Sequence, residues 1–357
     1  MTVDDAELAA MRRAIGLAGE TRPHPNPRVG AVVLGPAGEV VAQGANQGPG
    51  HPHAERVALA ALPGPLPSGS TIITTLEPCN HHGLTPPCTE AIVEAGIRRV
   101  VVGAGDPDEK VAGSGIEELR RQGVEVTVGV LEEEVIAADP AYFHHRRTGR
   151  PLMTLKSALT IDGQSAALDG TSQWITGDPA RRDAHLLRSE SDAVVVGAGT
   201  LRTDDPSLSV RLDDFSGSQP VAVVIQGRRP LPESARLWER SDTLVVATAP
   251  SGLNVEQLVV PAGPDGRPEP AAIVHALGER GLLAVLVEGG ATLARALWDG
   301  RLIDQGVTYL GARVAGGSGL AMFSGHWETI GNATTAAVTD VRSVGSDVRI
   351  EWAPVRE

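Results

Sequence analysis

The residues best suited to chemistry are three potential metal ligands and one carboxylate. His53-Ala54-Glu55 is followed by Pro78-Cys79 and then by Pro87-Cys88. Zinc takes nitrogen and sulfur donors, and a catalytic zinc uses three from the protein and leaves one position for water. One histidine and two cysteines supply three. The metal would lower the pKa of a bound water toward neutrality. Glu55 lies two residues after His53, at the start of an expected helix, where it could move protons without being a ligand. Cys88 follows Pro86-Pro87 and opens another expected helix, whose N-terminus should favour a thiolate. Cys79 and Cys88 are the only cysteines of the chain. The competing reading is a closed structural zinc site or two buried free thiols.

A second group of residues lies further on. It comprises Lys156-Ser157-Ala158, Asp162-Gly163, Ser172-Gln173-Trp174-Ile175-Thr176, Thr200, Asp204-Asp205-Pro206, Leu208, Arg211 and Glu288-Gly289-Gly290. Lysine occurs only at Lys110 and Lys156 in an arginine-rich chain. A retained lysine hints at a site that needs a compact ammonium, with chance placement as the alternative. Val285 to Leu293 reads as strand, glycine turn and helix. The backbone N–H groups of such a turn can hold a phosphate, although a plain turn would read the same. The pattern is not G-x-G-x-x-G, so it does not predict a Rossmann fold.

These residues must be positioned by regular elements. The spacing predicts a helix over 5–19, a hairpin of Val29–Leu34 and Val40–Gln43, and a helix over His53–Leu62. Strand Thr71–Leu76, helix Cys88–Ala95 and strand Arg99–Val102 follow, then helix Ile116–Gln122 and strand Val124–Val128. The segment His144 to Pro151 is basic, turn-containing and poor in apolar residues, and the domain boundary is expected there. The expected domains are therefore 1–147 and 148–357. In the second, strands are predicted at Leu152–Ala158, Ala193–Val196, Val221–Ile225, Thr243–Ala247 and Leu283–Val287. Helices are predicted at Pro179–Ser189, Ala271–Arg280 and Ala291–Leu297, a loop at Pro261–Pro270, and mostly β structure from Gln305 to Trp352. Strands alternating with helices predict two α/β domains.

Composition narrows the function classes. A length of 357 residues suits two domains, and 41% hydrophobic with 21% charged residues excludes wholesale disorder. Aromatics at 3% argue against base-stacking platforms, and a net charge of −13 without a basic half argues against nucleic acid. The acidic N-terminus lacks an apolar signal region and no stretch could span a bilayer, so no membrane role and a cytoplasmic location are expected. In a reducing compartment two cysteines suit a metal better than a disulfide.

His53-x-Glu55 with two cysteines is a variant of the zinc-deaminase pattern, the cysteines standing nine apart rather than three. The longer run extends the likeness. His24-Pro25-Asn26-Pro27-Arg28-Val29-Gly30, Leu76-Glu77-Pro78-Cys79-Asn80-His81-His82-Gly83-Leu84-Thr85-Pro86-Pro87-Cys88, Asp106-Pro107 and Val111-Ala112-Gly113 resemble the deaminase half of a bifunctional family of riboflavin biosynthesis. That family is the diaminohydroxyphosphoribosylaminopyrimidine deaminase / 5-amino-6-(5-phosphoribosylamino)uracil reductase. The second group of residues resembles its reductase half, in the same order along the chain.

The resemblance implies a cytidine-deaminase-like α/β/α domain followed by a dihydrofolate-reductase-like α/β domain. It implies Zn2+ on His53, Cys79 and Cys88, with Glu55 as the catalytic proton carrier. Asn26 would position a pyrimidinone bearing a ribosylamino 5′-phosphate. NADPH would contact Ala158, Trp174, Thr200, Asp204, Gly289 and Gly290. Lys156, Ser172, Arg188, Leu208, Arg211 and Glu288 would hold the sugar-phosphate substrate. Hydride would pass to C1′ of the opened ribose. The family implies a homo-oligomer. Surface salt bridges for Arg188 and Arg211, and core packing for Trp174, are the competing readings of those residues.

The chain also departs from the family. Asn46 stands where a histidine is usual, and Leu84 where a lysine or arginine is usual; His51 could compensate. Gln226-Gly227, Gln305 and the strand Tyr309-Leu310-Gly311-Ala312-Arg313 differ as well. Two other readings therefore stand beside the bifunctional enzyme. One is a paralogue with a weakened or retargeted deaminase half. The other is a zinc-stabilised binding module without turnover, against which Glu55 argues.

Overall fold

The structure, a computed structural model, describes residues 3–108, 111–317, 319–323, 325 and 329–356. It divides into two compact units, Met1–Thr148 and Gly149–Glu357. No helix among the described residues is long and apolar enough to cross a membrane.

The first unit contains α1 (Asp5–Gly19), β1 (Gly30–Leu34), β2 (Val40–Ala45), α2 (Ala54–Ala60), β3 (Thr71–Leu76) and α3 (Cys88–Glu94). β4 (Arg99–Ala104), α4 (Ser114–Arg121), β5 (Glu125–Val128), α5 (Glu132–Ala138) and α6 (Pro140–Thr148) follow. Its sheet runs β2-β1-β3-β4-β5. β2 and β3 are antiparallel to β1, and β3, β4 and β5 are mutually parallel. β1 is buried throughout, and β3 and β4 are buried past their first residues, as strands of a sheet covered on both faces are. Helix α1 starts from a capping box in which Asp4 accepts from the Glu7 amide and Glu7 accepts from the Asp4 amide. It turns Ala10, Met11, Ala14 and Ala18 inward.

The second unit contains β6 (Leu152–Thr160), β7 (Gln164–Ala166), α7 (Asp178–Ser189), β8 (Ala193–Gly197), α8 (Ala198–Asp204), β9 (Val221–Ile225), β10 (Thr243–Ala247) and β11 (Glu256–Val259). It continues with α9 (Pro270–Glu279), β12 (Ala284–Val287), α10 (Ala291–Asp299), β13 (Gln305–Gly311), β14 (Leu320–Ala321), β15 (Ala336–Val344) and β16 (Asp347–Pro354). The main sheet runs β11-β10-β9-β8-β12-β6-β13-β16-β15. Neighbours from β11 to β13 are parallel, and β16 and β15 close the order as antiparallel strands. Two apolar clusters cover it. One gathers Leu155, Val195, Val287 and Leu277; the other gathers Val196, Leu201, Val224 and Leu237.

Both units are therefore α/β. Helix α6 extends into the basic segment as far as Thr148, and its Tyr142 and Phe143 are buried in the first unit. Its basic residues had masked an anchored helix, because aromatic rings at adjacent positions suffice to dock so short an element. Helices α5 and α8 and strand β11 were also not anticipated.

Candidate functional site

In the first unit, strand ends and helix starts converge. His53 is the residue before α2 and Glu55 lies in its first turn. Cys79 follows β3, and Cys88 is the first residue of α3. His53 Nδ1 lies 3.4 Å from Cys79 Sγ and 3.4 Å from Cys88 Sγ. The three ligand atoms all fall within 4.8 Å of one another. One imidazole nitrogen and two sulfurs at that spacing fit zinc by donor chemistry and by arrangement. Cys79, hydrogen-bonded to Cys88 and with His53 beside it, is held well below the usual thiol range. Cys88 is pushed up by its partnership with Cys79 and by burial.

Glu55 is buried, and its Oε2 accepts from Cys88 Sγ at 3.4 Å. Loss of water raises its carboxyl to about 7, where it can both take and release a proton. Asn26, His53, Glu55 and Cys79 line one pocket of about 250 Å³; Cys88 is fully buried and is not among its lining residues. His82 is exposed and faces Glu90 at 3.7 Å, away from a ligand's role.

Glu77 was missed. It is buried and accepts from the amides of Gly113 at 3.0 Å, Gly115 at 2.9 Å and Ile116 at 3.3 Å. It thereby ties the end of β3, two residues before Cys79, to the start of α4. A charged residue ending an apolar strand was the available signal. At Gly115 a Cβ would lie 1.9 Å from the Pro78 carbonyl oxygen, so only glycine permits this contact.

In the second unit, all twelve expected residues line one cleft of about 1630 Å³: Lys156, Ala158, Ser172, Trp174, Arg188, Thr200, Asp204, Leu208, Arg211, Glu288, Gly289 and Gly290. They come from β6, from α7 and α8, from the loops before α7 and after α8, and from beyond the carboxyl end of β12, where parallel sheets place their ligands. Trp174 is not core packing: it is half-exposed, with the Arg181 guanidinium 4.4 Å from its ring centre. Arg188 is not a surface residue. Its Nε and Nη2 donate to Glu288 at 2.6 and 2.9 Å, and Nη1 donates to the Ser209 carbonyl at 2.9 Å. Burial pushes the Glu288 carboxyl up, but Arg188 more than reverses this and holds it down at about 2. His185 Nδ1 accepts from the Arg211 amide at 3.2 Å. Burial, with Arg188 and Arg211 nearby, lowers this imidazole to about 4.

Lys156 and Arg211 are less committed. Lys156 has no hydrogen-bond or ion-pair partner among the described residues, and the Arg211 side chain donates only to the Ser207 hydroxyl at 2.6 Å. Gln226 Oε1 is buried without a partner at the end of β9, inside the same cleft. A Cβ on Gly290, at the start of α10, would lie 3.4 Å from Thr200 Oγ1. An orphaned acceptor and a glycine-edged helix start fit a dinucleotide with hydroxyls and phosphates.

Comparison with known proteins agrees with this geometry. Residues 5–104 match the cytidine and deoxycytidylate deaminase zinc-binding region, and residues 151–349 match the RibD C-terminal domain. The riboflavin biosynthesis protein RibD of Mycobacterium tuberculosis is 38% identical over 352 residues, covering 97% of this chain and 96% of that protein. The chain belongs to the RibD family.

RibD from Escherichia coli K12 is 35% identical, with 95% of this chain and 96% of that protein covered. RibD from Acinetobacter baumannii, 33% identical, superposes with a TM-score of 0.90 over 98% of this chain and 99% of its own. The diaminohydroxyphosphoribosylaminopyrimidine deaminase / 5-amino-6-(5-phosphoribosylamino)uracil reductase of Thermotoga maritima, 36% identical, gives 0.87 over 98% and 99%. The order of a RibD protein, deaminase then reductase, is the order found here.

Proposed function

We propose that this chain deaminates a phosphorylated diaminopyrimidinone and then reduces its ribosyl group to a ribityl chain in riboflavin biosynthesis. The observation that carries the reading is the buried Glu55 beside the His53, Cys79 and Cys88 triad. A zinc site built only for stability has no use for a buried carboxyl beside its ligands.

His53 Nδ1, Cys79 Sγ and Cys88 Sγ would hold Zn2+. Bound there, zinc makes water a nucleophile at neutral pH. Glu55 takes a proton at Oε2 and gives it to the departing amino nitrogen. Its burial keeps bulk water from competing for that proton. Asn26 orients the pyrimidine.

NADPH supplies the hydride for the second step. Ala158, Trp174, Thr200, Asp204, Gly289 and Gly290 are proposed to seat it. Lys156 and Arg211 offer donors to the sugar phosphate. Arg188 supports that site through Glu288 rather than by direct contact, because its guanidinium is already engaged. Ser172 and Leu208 complete the substrate wall. With both thiols free, the reducing cytoplasm is the compartment that suits the metal site. A homo-oligomer is proposed with it, drawing on β15, a nine-residue edge strand exposed along most of its length. Light scattering at micromolar protein would test that, a monomer counting against it.

The test of function is one incubation of zinc-loaded protein with the ribosylated diaminopyrimidinone phosphate, with and without NADPH, followed by mass. Ammonia release without NADPH and a two-hydrogen gain with it are expected. Reduction of pre-deaminated substrate without any deamination would instead favour the weakened-deaminase paralogue.

A further inference from the structure

The deaminase pocket has to hold a phosphate monoester, and the inference that follows rests on that reading of the substrate. Such a group carries close to two negative charges at neutral pH. The pocket lining is poor in matching charge. It contains four carboxylates: Glu55, Glu77, Asp106 and Asp108. Among the described residues that line it, Arg146 is the only arginine or lysine.

The surroundings of Arg146 are well defined. It lies in the last turn of α6, with Nε 3.1 Å from Asp108 Oδ2. Its guanidinium carbon lies 5.1 Å from the centre of the Tyr142 ring, and Nη1 lies 3.0 Å from His145 Nδ1. The Tyr142 hydroxyl in turn donates to Asp106 at 2.9 Å, so the ring beneath the guanidinium is fixed. The Arg146 side chain is 27% exposed, which leaves it reachable from the pocket while partly shielded from water. A guanidinium has five N–H donors, more than these contacts consume.

The other carboxylates have different employment. Glu77 binds the amides that open α4, and Asp106 binds Tyr142 and the Asp108 amide. Asp108 is the one that competes for Arg146.

We infer that Arg146 anchors the substrate phosphate in the deaminase pocket, and that Asp108 holds the guanidinium in place until the phosphate takes over. Arginine suits this role because its fork matches an oxyanion with two parallel hydrogen bonds. Asp108 then sets the affinity from the opposite direction: the substrate must displace it.

Deamination kinetics on the full-length zinc protein test the assignment, with ammonia as readout and NADPH omitted. The substrate is used with its phosphate and after enzymatic removal of it. Arg146→Ala should raise KM for the phosphorylated form at least tenfold and affect the dephosphorylated form far less. Arg146→Lys should restore part of the loss, and Asp108→Asn should lower KM. One zinc bound per chain and an unchanged thermal transition of the first unit in the same variants verify that they fold. An equal rise in KM for both forms assigns Arg146 a structural role and overturns the inference. So does an unchanged KM, or the loss appearing in Lys110→Ala instead. If the wild-type protein releases no ammonia from either form, the deaminase reading has failed. Calorimetric binding of the phosphorylated compound still decides the anchor: binding lost in Arg146→Ala upholds it, and binding retained overturns it.

Discussion

The deaminase pocket and the reductase cleft hold charged ligands in opposite ways. The first is about 250 Å³, and its metal-binding groups already lie within 4.8 Å of one another. Each is placed by a helix start or a strand end, and the carboxylates of the lining outnumber its one arginine. The second is about 1630 Å³, and Lys156, Arg188 and Arg211 bring positive charge around a single buried carboxylate, Glu288. A metal tolerates little error in ligand position, so its groups are fixed by the backbone before it arrives. A dinucleotide and a sugar phosphate bring many polar atoms of their own. Their site can be a wide wall of donors, only some of which are paired beforehand.

This contrast can be broken in graded steps. Removing zinc with a chelator should abolish ammonia release and lower the thermal stability of the first unit, with NADPH-dependent reduction retained. Glu55→Gln should cut deamination by about 10²–10⁴-fold while the protein still binds one zinc per chain by elemental analysis. Loss of metal in that variant would mean that Glu55 ligates or builds the site. Arg188→Ala strands Glu288 in the interior. It should destabilise the second unit by roughly 3–5 kcal/mol, read by denaturant melting, and leave zinc content alone. Lys156→Ala should cost reduction about 10–100-fold, the range for a charge-assisted hydrogen bond, with deamination spared; equal damage to both steps would erase the distinction between the sites.

The smallest effect concerns pH. His185 has a folded pKa of about 4, below its ordinary 6.5, so the unfolded chain binds more protons between those values. The stability this imidazole contributes is present above pH 6.5 and lost as pH falls through 4. His185→Gln should flatten that part of the second unit's stability profile. An unchanged slope would place the acid sensitivity elsewhere.

The two regions also differed in how much their residues disclosed. His53, Glu55, Cys79 and Cys88 were legible because metal and proton chemistry admits few residue types at fixed spacing. The reductase residues were legible mainly through resemblance; all twelve share one cleft, yet their partners were not foreseeable. That Arg188 spends its donors on Glu288, a hundred positions away, depends on β12 lying between β8 and β6. Sequence order does not display such an insertion. Helix α6 was hidden for a related reason. Its surface is basic and only Tyr142 and Phe143 are buried, so its apolar signal is too short to stand out from a linker. Asn26 and Glu77 mark the limits within the first pocket. The one was carried by a family likeness, and the other by nothing more than a carboxylate at the end of an apolar strand.

Gly115 gives the metal site an unexpected heritable weakness. It has no side chain to offer a metal, yet that missing side chain is what lets α4 lie against the Pro78 carbonyl, one residue from Cys79. Any replacement pushes on the backbone that carries the sulfur. Selection should therefore guard this position as closely as a ligand. A lineage that drifts there would lose its grip on zinc while every coordinating residue stayed intact, and a survey of the ligands alone would count that lineage as competent.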